Sequence, residues 1–484
     1  MEDIQSSREP RKPSAWLSAI PFITLILLLS ATLFVFGSDS LGGPSQIVLL
    51  TSTAVCIILG MKFCNVRWST IEESISEKIR ETSVAICILL LIGMLSASWM
   101  ISGIVPTLIC YGIQIIHPSI FLISACSISA IVSLMTGSSW TTIATIGIAL
   151  LGIGRALGFE EGWIAGAIIS GAYFGDKVSP LSDTTVLASS TTGTPLFTHI
   201  RYLMYTTIPS MVVALIIFGV AGLSHEVSDT SHIALFTETL NCKFHITPWL
   251  LAVPIATGIL IAKRVPSIIT LFLSTLLAVI FAVIFQPQLL TEIAGSAGDA
   301  WTDSVKGIFT MLFGATQLET GSAEVNDLIA TRGMAGMMDT IWLILCAMCF
   351  GGAMAAGGMI EGITRLLTRF TRSRTSLITS TVASGLFFNL STADQYISII
   401  LTGNMFRDIY HAGGYESRLL SRTTEDAVTV TSVLVPWNTC GMTQATILGV
   451  ATLTYLPYCF FNLISPLMSI LVAWTGYKII RKEG

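Results

Sequence analysis

Asp176, Lys177 and Asp183 fall within eight positions of one another in Gly171–Thr185, GAYFGDKVSPLSDTT, inside one of the most apolar parts of the chain. An ionised side chain at the middle of a bilayer costs about 2.5–3.5 kcal/mol on insertion scales, so three in so short a run require compensation. Ser179–Pro180 supplies a break, because proline lacks the amide donor and pushes its predecessor out of the α region. A helix broken there leaves free carbonyls on one half and free amides on the other. Carbonyls, the two carboxylates and the hydroxyls of Ser179, Ser182 and Thr184 then form an all-oxygen environment, which suits a hard cation. The plain alternative is a solvated loop between two helices. Against it stand a second copy of the pattern and the rule that ionisable groups inside a membrane are functional by default.

The elements that must position these groups are membrane helices. Of 484 residues, 52% are hydrophobic and only 11% charged, where a soluble domain carries about 25% charged residues. Mean hydropathy is +0.77. The composition predicts an all-α polytopic membrane protein and excludes a soluble enzyme with one anchor. No stretch has the length or polarity of a separate soluble domain. Met1–Pro13 is polar and basic, with no cleavable signal pattern before the first apolar run. The ten cysteines show no paired zinc spacing, and Cys346 and Cys349, a lone CxxC on an apparent membrane helix, read as packing residues.

A spanning helix needs about 20 apolar residues. After a cytoplasmic tail at 1–14, a first repeat is expected over 15–223. Its spans are about 15–36, 45–61, 84–116, 163–198 and 202–223. The third breaks near Gly103 and Pro106, the fourth at the opening stretch, and Lys62–Thr82 is amphipathic and expected at the surface. Phe121–Leu134 and Ile143–Leu157 are too short to cross comfortably. With the uncharged Thr136–Thr142, TGSSWTT, between them, they read as a re-entrant hairpin over about 118–157. An external loop, 224–246, leads to a second repeat over 247–480, with spans at about 247–262, 265–285, 341–356, 425–456 and 457–480. The long acidic stretch 286–340 contains Val305–Ala315, too short to span and expected at the interface. A second hairpin covers about 375–406, with tip Asn389–Asp394, and the span 425–456 is broken at VPWNTCG. The residues 481–484 form a cytoplasmic tail.

The order span, hairpin, broken span, span therefore occurs twice. Ser138 lies 42 residues before Pro180, and Ser391 lies 45 before Pro436. With the N-terminus inside and spans alternating, the inside segments hold 20 of the 25 basic residues, Arg365, Arg418 and Arg422 among them, a strong positive-inside bias. The first hairpin then enters from outside and the second from inside. An inverted repeat of about 5+5 spans, each with a hairpin and a broken helix, implies a secondary transporter with a midplane site.

The second repeat adds Asn438 and Thr439 at its break, and Asn389, Ser391, Thr392 and Asp394 at its tip. The first tip adds Ser138, Ser139, Thr141 and Thr142. Any one of these hydroxyls is also explained by bonding between helices, so Asp176 and Asp183 carry the argument. Burial favours a protonated carboxyl and a bound cation favours the ionised form. One carboxylate can thus hold either a proton or Na+, which suffices for antiport. Lys177 is expected to neutralise an aspartate or to release a proton itself. Glu160, Glu161, Glu425 and Asp426 are expected at the interface.

Gly175-Asp176-Lys177, Ser179-Pro180 and Ser182-Asp183-Thr184-Thr185, preceded by Thr136–Thr142, resemble NhaC-type Na+/H+ antiporters of the ion transporter superfamily. The resemblance covers most of the chain and is sharpest from about Leu134 to Pro209. Many relatives have Asn after SDTT, where this chain has Val186. The resemblance implies exchange of Na+, with Li+ as a further cargo, for H+ in the bacterial inner membrane, and the positive-inside count places both termini in the cytoplasm. The partners implied are the lipid bilayer, Na+ and H+, without nucleic acid or cofactor, and with a homodimer as the assembly to test. The same family includes exchangers resembling malate–lactate antiporters, for which Lys177, Asn389 and Asn438 could supply an anion pocket. No HExxH, GxSxG or GxxxxGK[ST] pattern points to an enzyme. A passive channel needs no titratable groups between inverted broken helices.

Overall fold

The computed structural model describes residues 11–36, 43–224, 230–263, 265–295, 299–367 and 373–479. The expected tail at 481–484, most of that at 1–14, part of the loop at 224–246, and Arg369 and Arg372 lie outside the described residues. Helices α1 (Ala15–Phe36), α2 (Pro44–Cys64), α3 (Trp68–Ile101) and α4 (Ile104–Ile115) come first. Gly103, at φ 84°, separates the last two. Next, α5 (Phe121–Thr136) turns into α6 (Ser139–Thr142), a π turn at Ile143–Gly147 and α7 (Ile148–Ala156). The halves α8 (Glu161–Val178) and α9 (Asp183–Thr191) lead to α10 (Leu196–Ser224).

The middle of the chain forms α11 (Thr230–Lys243), α12 (Ala252–Ala262), α13 (Ser267–Phe285), α14 (Pro287–Ala294), α15 (Ala300–Phe313) and α16 (Ala323–Ile329). Then α17 (Met338–Ala356) and α18 (Met359–Leu367) precede a second helix pair, α19 (Arg374–Thr392) and α20 (Gln395–Ala412). Finally α21 (Ser417–Thr424) continues through a π turn at Glu425–Thr429 to a second break, followed by α22 (Thr439–Leu448), α23 (Thr452–Tyr455) and α24 (Phe460–Thr475). Among the described residues there is no strand, only an isolated bridge between Thr316 and Thr331.

Seven of the described helices are long and apolar enough to cross a membrane, or nine if each of two bent pairs is one span. The chain is an all-α polytopic membrane protein. Large apolar side chains such as Ile216, Val220 and Leu223 on α10 point outward, as lipid contact requires. The hairpin arm expected as too short reaches 19 residues once the turn at Pro118 is included. The amphipathic stretch Lys62–Thr82 runs from the end of α2 into the first half of the 34-residue α3. It packs on α17, where Ser74 Oγ donates to the Gly352 carbonyl at 3.0 Å. The charged residues Glu72, Glu73 and Glu77 occupy its free side. The segment Val305–Ala315 falls largely in α15, which lies against α14 and α3.

Helix α8 packs closely along α5. A Cβ at Gly171 would come within 2.0 Å of the Cys126 carbonyl oxygen, and one at Gly175 within 2.3 Å of that of Ala130. Only glycine allows this backbone approach, and it holds the first break beside the first hairpin.

Candidate functional site

Helix α8 stops at Ser179, whose backbone is extended ahead of Pro180, and α9 restarts with Ser182 as its cap, accepting from the Thr185 amide. Facing this break is the turn between α5 and α6. Gly137 there is left-handed, at φ 69°, and Ser138 caps α6. The Ser139 amide donates to Asp176 Oδ2 at 3.1 Å, and its hydroxyl donates to the same oxygen at 2.7 Å. The Ser182 hydroxyl is within reach of that carboxylate and pairs with Thr184 Oγ1 at 2.9 Å. Asp176 is buried, 6% exposed. Ser179 spends its hydroxyl on the Leu134 carbonyl at 2.9 Å, and Ser138 bonds Thr141. Asp183 is exposed at the first turn of α9.

The second break is built in the same manner. Ala393 is left-handed, at φ 57°, and Asp394 caps α20, accepting from the Ile397 amide at 3.0 Å. Asn438 caps α22, accepting from the Cys440 amide. The tip and the break are joined by Thr439 N to the Ala393 carbonyl at 2.9 Å, Asn438 Nδ2 to the Asn389 carbonyl at 3.1 Å, and Thr439 Oγ1 to Asp394 Oδ2 at 3.4 Å. Asn389 donates to the Val428 carbonyl and to Thr431. Ser391 is buried and reaches only the Phe388 carbonyl at 3.5 Å. The expected ligands thus form two groups, one around Asp176 and one around Asp394. Between them Cys440 bonds Gln395 and lies within reach of Tyr173 on α8.

Lys177 turns away from both aspartates of its own stretch. It pairs with Asp426 and donates to Ser465 Oγ at 2.8 Å. Asp426 Oδ1 also accepts from Thr206 at 3.0 Å and Ser465 at 3.2 Å. Glu425 and Asp426, expected at the interface, are fully buried, as is Arg422, expected among the inside surface charges. Arg422 Nε lies 3.8 Å from Asp426 Oδ2, and its guanidinium stacks over Tyr202. Arg422 and Asp426 are four apart and share a helix face, the one sequence hint that the two pair. Glu161, by contrast, is at the surface, paired with Arg155.

A cavity of about 890 Å³ is lined by Arg155, Asp327, Arg332 and Asp339, and on α22 by Ala445 and Thr446. Its wall thus includes the helix that starts at the second break. Buried carboxyls at broken helices inside a membrane bundle define a membrane transporter of small ions.

Residues 171–477 match the model of the Na+/H+ antiporter family. The chain is 36% identical to the Na+/H+ antiporter NhaC of Alkalihalophilus pseudofirmus, over 96% of this chain and 98% of that one. It is 33% identical to the malate-2H+/Na+-lactate antiporter of Bacillus subtilis, over 94% and 93%. It is 32% identical to the arginine/ornithine antiporter ArcD of Halobacterium salinarum, over 98% and 94%. The chain belongs to the Na+/H+ antiporter family.

Proposed function

We propose that the chain is a secondary transporter that exchanges Na+ for H+ by alternating access, with Asp176 at the cation site. The observation that carries this reading is the buried Asp176 carboxylate, held at a helix break by the amide and hydroxyl of Ser139. Released from Asp176, the Ser139 hydroxyl can turn its lone pairs to a cation, as can Ser182 and the carbonyls freed by the break. The Asp394 group, with Thr439, Asn438 and Asn389, is its counterpart in the second repeat. The two tip-and-break units are read as inverted copies, which positive-inside counting supports. Both termini then face the cytoplasm of a bacterial inner membrane, and the cavity opens outward.

A second reading, exchange of an organic acid coupled to Na+ and H+, is favoured by the malate–lactate relative and by a cavity far larger than a bare cation needs. Everted vesicles with an acidic interior and a pH dye separate the two. Alkalinisation of the interior by NaCl alone is the expected result. A response that requires malate or lactate as well would move the cargo to a carboxylate.

A further inference from the structure

Glu425 has no part in the reading above, yet it is a carboxyl of the described core with neither oxygen hydrogen-bonded. It is 0% exposed, and among the described residues neither carboxyl oxygen has a hydrogen-bond partner. The Thr429 hydroxyl lies within electrostatic reach without bonding it. Glu425 opens the π turn that leads into the second break, and π turns cost helix stability and recur at functional sites. Lys177, Asp176 and Asp426 are its charged neighbours.

In the cluster that acts on Glu425, Lys177 and Arg422 supply two positive charges, and Asp176, Glu425 and Asp426 supply three carboxyls, all buried, while the buried Asp394 belongs to the second tip. One positive charge is missing, and an uncompensated charge in such a place is expensive. Na+ on Asp176 or a proton on one carboxyl would each restore neutrality. Asp426 accepts three hydrogen bonds, counting Lys177, and Asp176 accepts two from Ser139. Hydrogen bonds to a carboxylate hold it ionised. Glu425, with none, is where the proton belongs.

We infer that Glu425 is the proton-binding site of the exchange cycle, separate from the cation site at Asp176 and coupled to it through charge. In this scheme Na+ arriving at Asp176 expels the proton from the Glu425 carboxyl, and Na+ departing draws one back. The other groups packed around the turn are compatible. The segment before it carries Arg422, α9 begins with Asp183, α20 is capped by Asp394, and α10 brings His199, bonded to Ser421. Helices α19 and α24 bring only uncharged groups to it, such as Asn389 and Asn462.

The inference rests on the Na+/H+ reading, and one experiment separates them: equilibrium Na+ binding to the purified full chain across pH. Wild type should bind Na+ more weakly as pH falls. Glu425→Gln, a permanent mimic of the protonated state, should bind weakly with no pH dependence. Glu425→Asp should keep the dependence with a displaced midpoint, and it carries the test if the glutamine variant does not fold. A wild-type pH profile retained in Glu425→Gln, or an unmoved midpoint in Glu425→Asp, overturns the inference and leaves the antiport reading intact. Absence of Na+ binding by wild type overturns both.

Discussion

Asp426 and Asp176 are both buried aspartates, but their surroundings give them different work. Asp426 sits against a lysine and two hydroxyls and is a fixed counter-charge. Asp176 is held by hydroxyl and amide donors, those of Ser139 with Ser182 in reach, and by no cation, so an arriving cation can displace them. Asp176→Asn should therefore abolish Na+-driven proton movement while the protein remains in the membrane; normal exchange would sink the assignment. Asp183→Asn, at an exposed position, should impair exchange less. Ser139→Ala should weaken Na+ binding by about ten- to a hundredfold, because a hydrogen-bonding hydroxyl at a charged group is worth about 1.5–3 kcal/mol. Lys177→Ala leaves Asp426 buried and unpaired, at a cost of about 3–5 kcal/mol. Its melting temperature in detergent should fall, and Lys177→Met with Asp426→Leu should recover most of the loss. If the double variant is no more stable than the single, the pair is not the counter-ion pair described.

At the level of elements, the two breaks work because each is pinned by a turn from a neighbouring helix pair. Both turns use a left-handed residue, Gly137 or Ala393, followed by a capping side chain, Ser138 or Asp394. The first break depends further on α8 lying directly on α5. Gly175→Ala would force a Cβ into the Ala130 carbonyl. It should lower stability by about 1–3 kcal/mol and reduce exchange by displacing Asp176 from Ser139. Gly258→Ala on α12 meets nothing within 4 Å and should raise stability by about 0.4–1 kcal/mol. Thermal unfolding of the two variants side by side checks the contrast. Equal effects would mean that the α5–α8 contact is not tight.

At the scale of the whole molecule, the cavity reaches α22, the helix that starts at the second break, and alternating access would require its exposure to change during the cycle. Its wall includes Thr446, one turn or two beyond the second break. A lone cysteine placed at Thr446, with the native cysteines replaced, should react with an impermeant maleimide added outside. Saturating Na+ should change that rate as the population shifts between open states. A rate indifferent to Na+ and to pH would argue against a moving gate at this wall.

Composition and apolar run length by themselves determined the class of fold, because a bilayer allows a chain this apolar little besides helices. Local rules also placed the break at Ser179–Pro180, since proline's missing donor acts within a turn of itself. They marked Asp176 as a group needing compensation. What they left open was long-range. Lys177 follows Asp176 in the chain, yet its partner lies 249 residues away. Arg422, Glu425 and Asp426 are polar residues near the start of a span, and spacing alone cannot say whether such a run meets water or the core. The tertiary structure decided it, by packing α8, α10, the Glu425 turn and α24 around one point. Pairing of buried charges is a property of which helices meet, and helix contacts follow shape as much as local sequence.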